Sequence, residues 1–251
     1  MERIWVGGIP FTGARREALA RTLCDRAERK ARGWVFTPNA EIAARAERDP
    51  DFSALLRKAD FCAPDGVGIS LAARLEGRGR LSRLPGIELG ETVVAHAARR
   101  GIPVFFYGGK EGVARRAADR IKERCPNLSV AGCLDGYGDR EAAAEEILAS
   151  GAPIVLVCLG TPLQEEFIAA HLEDRVALAL GGSLDVWAGR VHRAPRFFRL
   201  FGLEWLWRVL SAPQRIPRLL PAFGFLFRSA GRGFAHLRQR MGRKARSVNK
   251  N

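Results

Sequence analysis

The most constraining feature of this chain is an alternation. Short apolar runs of strand length, "GWVFTPN", "ADFCAPDG", "IPVFFYGG", "LSVAGCLDG", "APIVLVCLGTP" and "RVALALGGSLD", are separated by Ala-, Glu- and Arg-rich stretches such as "EGVARRAADRIKERC" and "DREAAAEEILASG". The separating stretches have helical spacing, and the runs are too continuously apolar for strands wet on one side. This pattern predicts an α/β fold: a mainly parallel, Rossmann-like sheet with helices on both faces. In such sheets ligands sit outside the carboxyl ends of the strands. Those ends here read "TPN", "APDG", "YGGKEG", "LGTPLQEE" and "GGSLD", rich in Gly, polar residues and carboxylates.

Charge divides the chain. Of 41 Lys/Arg and 27 Asp/Glu, 15 bases and one acid (Glu204) lie from Arg190 onward, leaving 26 of each before it. The predicted organisation is therefore an α/β core over residues 1–189 and a basic, amphipathic C-terminal appendage over 190–251. A one-sided excess of this kind suits an acidic partner: anionic lipid, nucleic acid or a polyphosphate. The stretch "LEWLWRVLSAPQRIPRLLPAFGFLF" opens the appendage, and Arg208, Arg215 and Arg218 break it, so a simple membrane span is not predicted. Pro213 and Pro217 predict two short helices meeting at "SAP". The N-terminal "MERIWVGGIPF" lacks the basic and long apolar regions of a signal peptide. Cys24, Cys62, Cys125, Cys133 and Cys158 form no C-x-x-C pair and read as reduced core residues. The four histidines have no metal spacing.

Several positions carry candidate chemistry. Asp65 ends a strand ahead of Gly66, where a carboxylate could take a proton from a hydroxyl; a turn aspartate bonding its own backbone is the alternative. Gly108 and Gly109 end another strand before a helix. Backbone N–H groups there could meet a phosphate, or the pair could be a plain turn. Gln164 stands at a strand end with an amide able to contact a ligand, while Glu165 and Glu166 suit a helix N-terminus. Asp49-Pro50-Asp51 has the D-x-D form of metal-dependent sugar transferases, but its place before a helical pattern favours capping, with Asp51 as the N-cap. No metal and no cofactor is predicted.

Taken together and in order, "TPN", "APDGVGI", "RLPGIEL", "FFYGG", "GTPLQEEFI", "GGSLDVWAGRVHRAP" and "LEWLWRVLSAPQRIPR" closely resemble the WecG/TagA/CpsF glycosyltransferase family, from about Ile4 to Arg218. The resemblance implies a bacterial inverting transferase that moves a sugar from a UDP-sugar to an undecaprenyl-diphosphate-linked sugar, at the inner face of the cell membrane. The TagA-like branch, adopted here, transfers N-acetylmannosamine for teichoic acid linkage; other branches use uronic acids or glucose in surface polysaccharides. It implies Asp65 as the base, Thr37, Asn39, Arg83 and Gln164 at the donor site, and Arg208, Arg215 and Arg218 pairing with diphosphate. Leu163 departs from the pattern, where many relatives carry a basic residue. The implied location is cytoplasmic and peripheral on the membrane, with residues beyond about Gly224 holding anionic lipid and Trp205 and Trp207 at headgroup level. A homo-oligomer is left open. A nucleic-acid-binding module and a nicotinamide-dependent dehydrogenase are the alternatives; the first lacks a recognised motif, the second the dinucleotide fingerprint.

Overall fold

The computed structural model describes residues 1–195, 197–198, 202–211 and 213–248, without the side chains of Arg208, Pro213, Arg215, Arg218 and residues 239–248. One eight-stranded sheet runs in the order β1-β2-β4-β3-β8-β7-β5-β6. Its members are β1 (Glu2–Val6), β2 (Ile9–Gly13), β3 (Gly33–Phe36), β4 (Phe61–Cys62), β5 (Val104–Gly108), β6 (Val130–Leu134), β7 (Ile154–Cys158) and β8 (Val176–Ala179). Only the β1–β2 pairing is antiparallel. Strands β3, β5, β7 and β8 are buried along their whole length, as expected of parallel strands covered on both faces.

The six predicted strands are β3 to β8. The hairpin β1–β2 was not foreseen, although "IWVGGIPF" carries its signal, a Gly-Gly pair between apolar runs. Gly7 and Gly8 make the turn with φ of 57° and 78°.

Helices α1 (Arg16–Glu28), α5 (Gly86–Arg100), α6 (Val113–Arg124) and α9 (Ser183–Trp187) pack on one face of the sheet. On the other lie α2 (Ala40–Ala46), α3 (Pro50–Arg57), α4 (Val67–Leu75), α7 (Arg140–Ala149) and α8 (Leu163–His171). Asp49, not Asp51, caps α3: its Oδ1 accepts the Phe52 N–H at 3.0 Å, Pro50 occupies the first helical position, and Asp51 sits in the first turn.

The C-terminal segment contains α10 (Glu204–Ser211), a 3₁₀ stretch Pro213–Arg218 and α11 (Leu219–Val248). Two short helical pieces, α10 and the 3₁₀ stretch, stand on either side of "SAP" as expected; the long α11 that follows them was not expected. Pro221 is tolerated because it lies in the first turn of α11, where backbone N–H groups have no partner in the helix.

Nor is α11 simply a lipid-facing arm. Its inner face packs on α2 and α4. Phe225 is fully buried in the same core cluster as β1, β2 and α4. Gly233 lets the helix approach so closely that any side chain there would meet the Leu75 carbonyl. Arg232 donates to Glu47 at 2.6 Å and to Glu76 at 2.8 Å, and Arg228 to Glu47 at 2.7 Å. Glu76, 5% exposed, also accepts the Gly7 N–H at 3.2 Å, so one buried carboxylate ties the hairpin turn to α11. Phe227, Phe234 and Leu237 remain exposed on the outer side. No helix among the described residues is long and apolar enough to cross a membrane.

Candidate active site

Three loops at the carboxyl edge are laced together by backbone bonds. After β3, the Pro38 carbonyl accepts the Asp65 N–H at 3.2 Å; after β4, the Pro64 carbonyl accepts the Leu84 N–H at 2.8 Å. Ala63 N–H donates to Phe36 at 2.8 Å, which extends the β3–β4 pairing into the loops. Rungs of this kind hold Asn39, Asp65 and Arg83 together although they lie far apart in sequence.

All three residues line a cavity of about 380 Å³, within the range of small-molecule sites. Helix α4 starts immediately after Asp65 and Gly66, so its first-turn N–H groups add a positive field at this edge. The Asn39 Oδ1 caps α2 through the Ile42 N–H at 3.0 Å, which uses the oxygen of its amide and not the nitrogen. Gly202 packs beside Arg83: a Cβ there would lie 3.5 Å from its Nη1. Val67 and Leu71 of α4, Trp205 and Val209 of α10, and Leu219, Ala222, Phe223 and Leu226 of α11 supply the apolar wall.

Glu204, at the start of α10, also lines the cavity. Arg193 holds it at 3.4 Å and reaches Glu88 of α5 at 2.6 Å. Sequence reasoning passed over Arg193 and Glu204, and also the Arg232, Glu47 and Glu76 cluster; charged residues scattered over the chain give no spacing signal until the fold brings them together. Trp205, expected at headgroup level, packs edge-on against Phe223 with ring centroids 6.3 Å apart. Trp207 is half-buried, 5.4 Å from the Phe198 ring. Arg208, Arg215 and Arg218 lie on the α10–3₁₀ segment, and their side chains fall outside the described residues.

The remaining candidates stand elsewhere along the edge. Thr37 is buried, and its hydroxyl donates to the Ala179 carbonyl at 2.7 Å, joining β3 to β8. Gln164 is 2% exposed. Its Oε1 accepts the Gly181 N–H at 2.9 Å, and its Nε2 donates to Glu165 Oε1 at 2.9 Å. Thr161 adds a hydroxyl donor to the same oxygen at 3.0 Å, while Glu165 Oε2, also buried, has no partner among the described residues. Burial is the main influence on Glu165 and pushes its carboxyl above the usual range, with the Gln164 and Thr161 hydrogen bonds opposing. Gly108, at φ 130°, packs against the Cys158 backbone with no room for a Cβ. Gly108 ends β5; Gly109 donates its N–H to the Cys158 carbonyl at 3.4 Å and accepts the Gly136 N–H at 2.8 Å, and α6 starts only after Gly112.

The described residues contain no group of three His, Cys, Asp or Glu able to hold a metal. All five cysteines are free. Burial pushes the Cys62 and Cys158 thiols up to about 12 and those of Cys24 and Cys133 to about 11, too high for a thiolate nucleophile at neutral pH.

The model of the glycosyl transferase WecG/TagA/CpsF family matches residues 4–240. An N-acetylglucosaminyldiphosphoundecaprenol N-acetyl-beta-D-mannosaminyltransferase of Bacillus spizizenii is 39% identical over 191 residues, 74% of each chain. A protein of the same description from Bacillus subtilis is 35% identical over 197 residues, 77% of each chain. Neither the nucleic-acid module nor the dehydrogenase gains support from these matches. The chain belongs to the WecG/TagA/CpsF glycosyltransferase family and is a glycosyltransferase.

Proposed function

We propose that this enzyme transfers N-acetylmannosamine, or a closely related sugar, from a UDP-sugar to N-acetylglucosamine carried on undecaprenyl diphosphate, with inversion, in teichoic acid or related surface-polysaccharide synthesis. The observation that carries the reading is the cavity with Asp65, Asn39 and Arg83 on its floor and α10 and α11 as its wall. Two relatives at 35–39% identity, named for this transfer, support the choice of sugars.

In the reaction the acceptor hydroxyl oxygen attacks the anomeric carbon, Asp65 takes the hydroxyl proton, and the bond to the β-phosphate oxygen breaks with its electron pair leaving on UDP. Arg208, Arg215 and Arg218 stabilise the charge gathering on the diphosphate, for which guanidinium forks are well shaped. Arg83 and Asn39 orient the substrates. Thr37, Gln164, Gly108 and Gly109 shape the donor side of the edge by fixing its loops. The enzyme works at the inner face of the membrane, with Phe227, Phe234 and Leu237 and the distal bases against anionic lipid.

The test is UDP release over a panel of UDP-sugars with a lipid-diphosphate-linked N-acetylglucosamine acceptor. UDP-N-acetylmannosamine should give the fastest release. Equal release with and without the acceptor would reduce the activity to hydrolysis and defeat the proposal.

A further inference from the structure

The cavity over Asp65 has two chemically different sides. Its polar lining is Asn39, Asp65 and Arg83 from the strand-end loops, with Glu41 of α2 and Glu204 at the start of α10. Its outer side is aliphatic and aromatic, and no hydroxyl or amide side chain interrupts Val67 and Leu71 of α4, Val209 of α10, or Leu219, Phe223 and Leu226 of α11. A nucleoside or sugar held there would lose water without gaining hydrogen bonds, which is unfavourable. An apolar ligand on this side gives up no hydrogen bonds of its own.

The apolar side also leads outward. Leu71 is 42% exposed and Phe223 54%, so the wall continues past the cavity mouth. Leu220, Phe223 and Phe227 recur at helical spacing along one side of α11, and Leu220 and Phe227 are 71% and 82% exposed. An apolar path therefore runs from the polar floor to the outer surface of the C-terminal helix.

We propose that the cleft between α4, α10 and α11 is a seat for the isoprenoid chain of the acceptor, holding the isoprene units nearest the diphosphate while the sugar end reaches Asp65. The idea rests on the proposed acceptor, and it adds that the protein, and not the bilayer alone, grips the start of the chain.

Direct binding tests the seat independently of turnover. Farnesyl diphosphate and inorganic diphosphate are titrated below the micellar range, without detergent, with Trp fluorescence as readout. Each buried methylene is worth about a factor of four, so farnesyl diphosphate should bind at least about tenfold tighter than inorganic diphosphate. The Trp205→Phe variant should lose most of the fluorescence change. Leu71→Gln and Leu71→Asn replace a half-exposed residue without adding charge and should cut the farnesyl advantage to about threefold or less, leaving inorganic diphosphate binding unchanged. Equal affinity for the two ligands in the wild type, or an undiminished farnesyl advantage in both Leu71 variants, overturns the seat. The two readings fail separately: farnesyl selectivity with no UDP release from any UDP-sugar sinks the transfer and keeps the seat, whereas acceptor-dependent UDP release without farnesyl selectivity does the reverse.

Discussion

Two ends of the same sheet edge use polar residues in opposite ways. At the β3–β4 end, Asn39, Asp65 and Arg83 line an open cavity. At the β7–β8 end, Thr37, Gln164, Thr161 and Glu165 are turned on one another and on backbone groups, and Gln164 and Glu165 are almost fully buried. The strand order puts β3 and β8 side by side, so the two ends adjoin. Residues that look equally functional in sequence thus divide into groups that line a cavity and groups hydrogen-bonded to one another and to the backbone. A buried polar network of the second kind is stabilising only when its members satisfy each other.

The largest expected effect separates the two ends. Asp65→Asn should cut turnover by about 10²–10⁴, the usual contribution of a general base, with little change in melting temperature. Gln164→Ala should do the opposite. It leaves the partly buried Gly181 N–H without its acceptor, costing about 1 kcal/mol, at the low end of the buried-donor range, which lowers the melting temperature by roughly 2–4 °C per kcal/mol in a chain of this size. Paired kinetics and thermal melts check both. A Gln164→Ala protein that melts like the wild type but has lost donor binding would move Gln164 to the ligand side.

Next comes the clamp on α11. Arg232→Ala leaves Glu76 with the Gly7 N–H and without its cation, and leaves Glu47 with Arg228. Arg232 itself is 38% exposed, so the loss should fall below the roughly 3–5 kcal/mol of a fully buried pair. Because α11 walls the cavity, a loosened helix lowers the fraction of molecules ready to bind. The apparent KM for acceptor should rise about 3–10-fold while kcat at saturating acceptor is retained, as a population effect requires. Arg232→Lys should recover part of the loss. An unchanged KM in Arg232→Ala would show that Phe225 alone seats the helix.

The fold was largely legible because β3, β5, β7 and β8 are buried along their whole length, the foreseen strands are short apolar runs, and the helices between them have clear spacing. The hairpin β1–β2 escaped because its turn signal, Gly7-Gly8, lies in a segment weighed only as a leader peptide. Asp65 stood out by its place after a strand and before a glycine, which is local information. What could not be read was the docking of α11. The pairing of Arg232 with Glu47 and Glu76 joins residues more than 150 positions apart. Exposed and docked faces alternate along the helix, so its basic, apolar sequence looks like a lipid-facing arm throughout. Gly233 signals the close contact only once Leu75 is seen beneath it. The expectation that residues past about Gly224 chiefly hold the membrane therefore needs a second role added, the docking of α11 on the core. Truncation after Phe223 would remove Phe225 from the core and Leu226 from the cavity wall, and should lower stability as well as membrane binding.

The smallest effect belongs to Glu165 and sharpens the closed end. Its carboxyl is raised by burial, so the folded protein holds the proton to higher pH than the unfolded chain does. The stability associated with the buried, protonated acid is fully present below the unfolded pKa, near 4.3. It is lost progressively as pH rises toward the folded value, because the unfolded state then ionises more readily. Glu165→Gln keeps an oxygen for the Gln164 and Thr161 donors and has no proton to lose in this range. The stability of the wild type relative to Glu165→Gln should therefore fall steadily from pH 4 upward, with turnover little changed at neutral pH. Urea melts of both proteins at several pH values give the difference directly. A flat difference would mean that Glu165 is as acidic folded as unfolded, which its burial and unpartnered Oε2 argue against. A difference of the opposite slope would require a cation close to that oxygen, and the closed end of the edge would then have to be counted as a charged site.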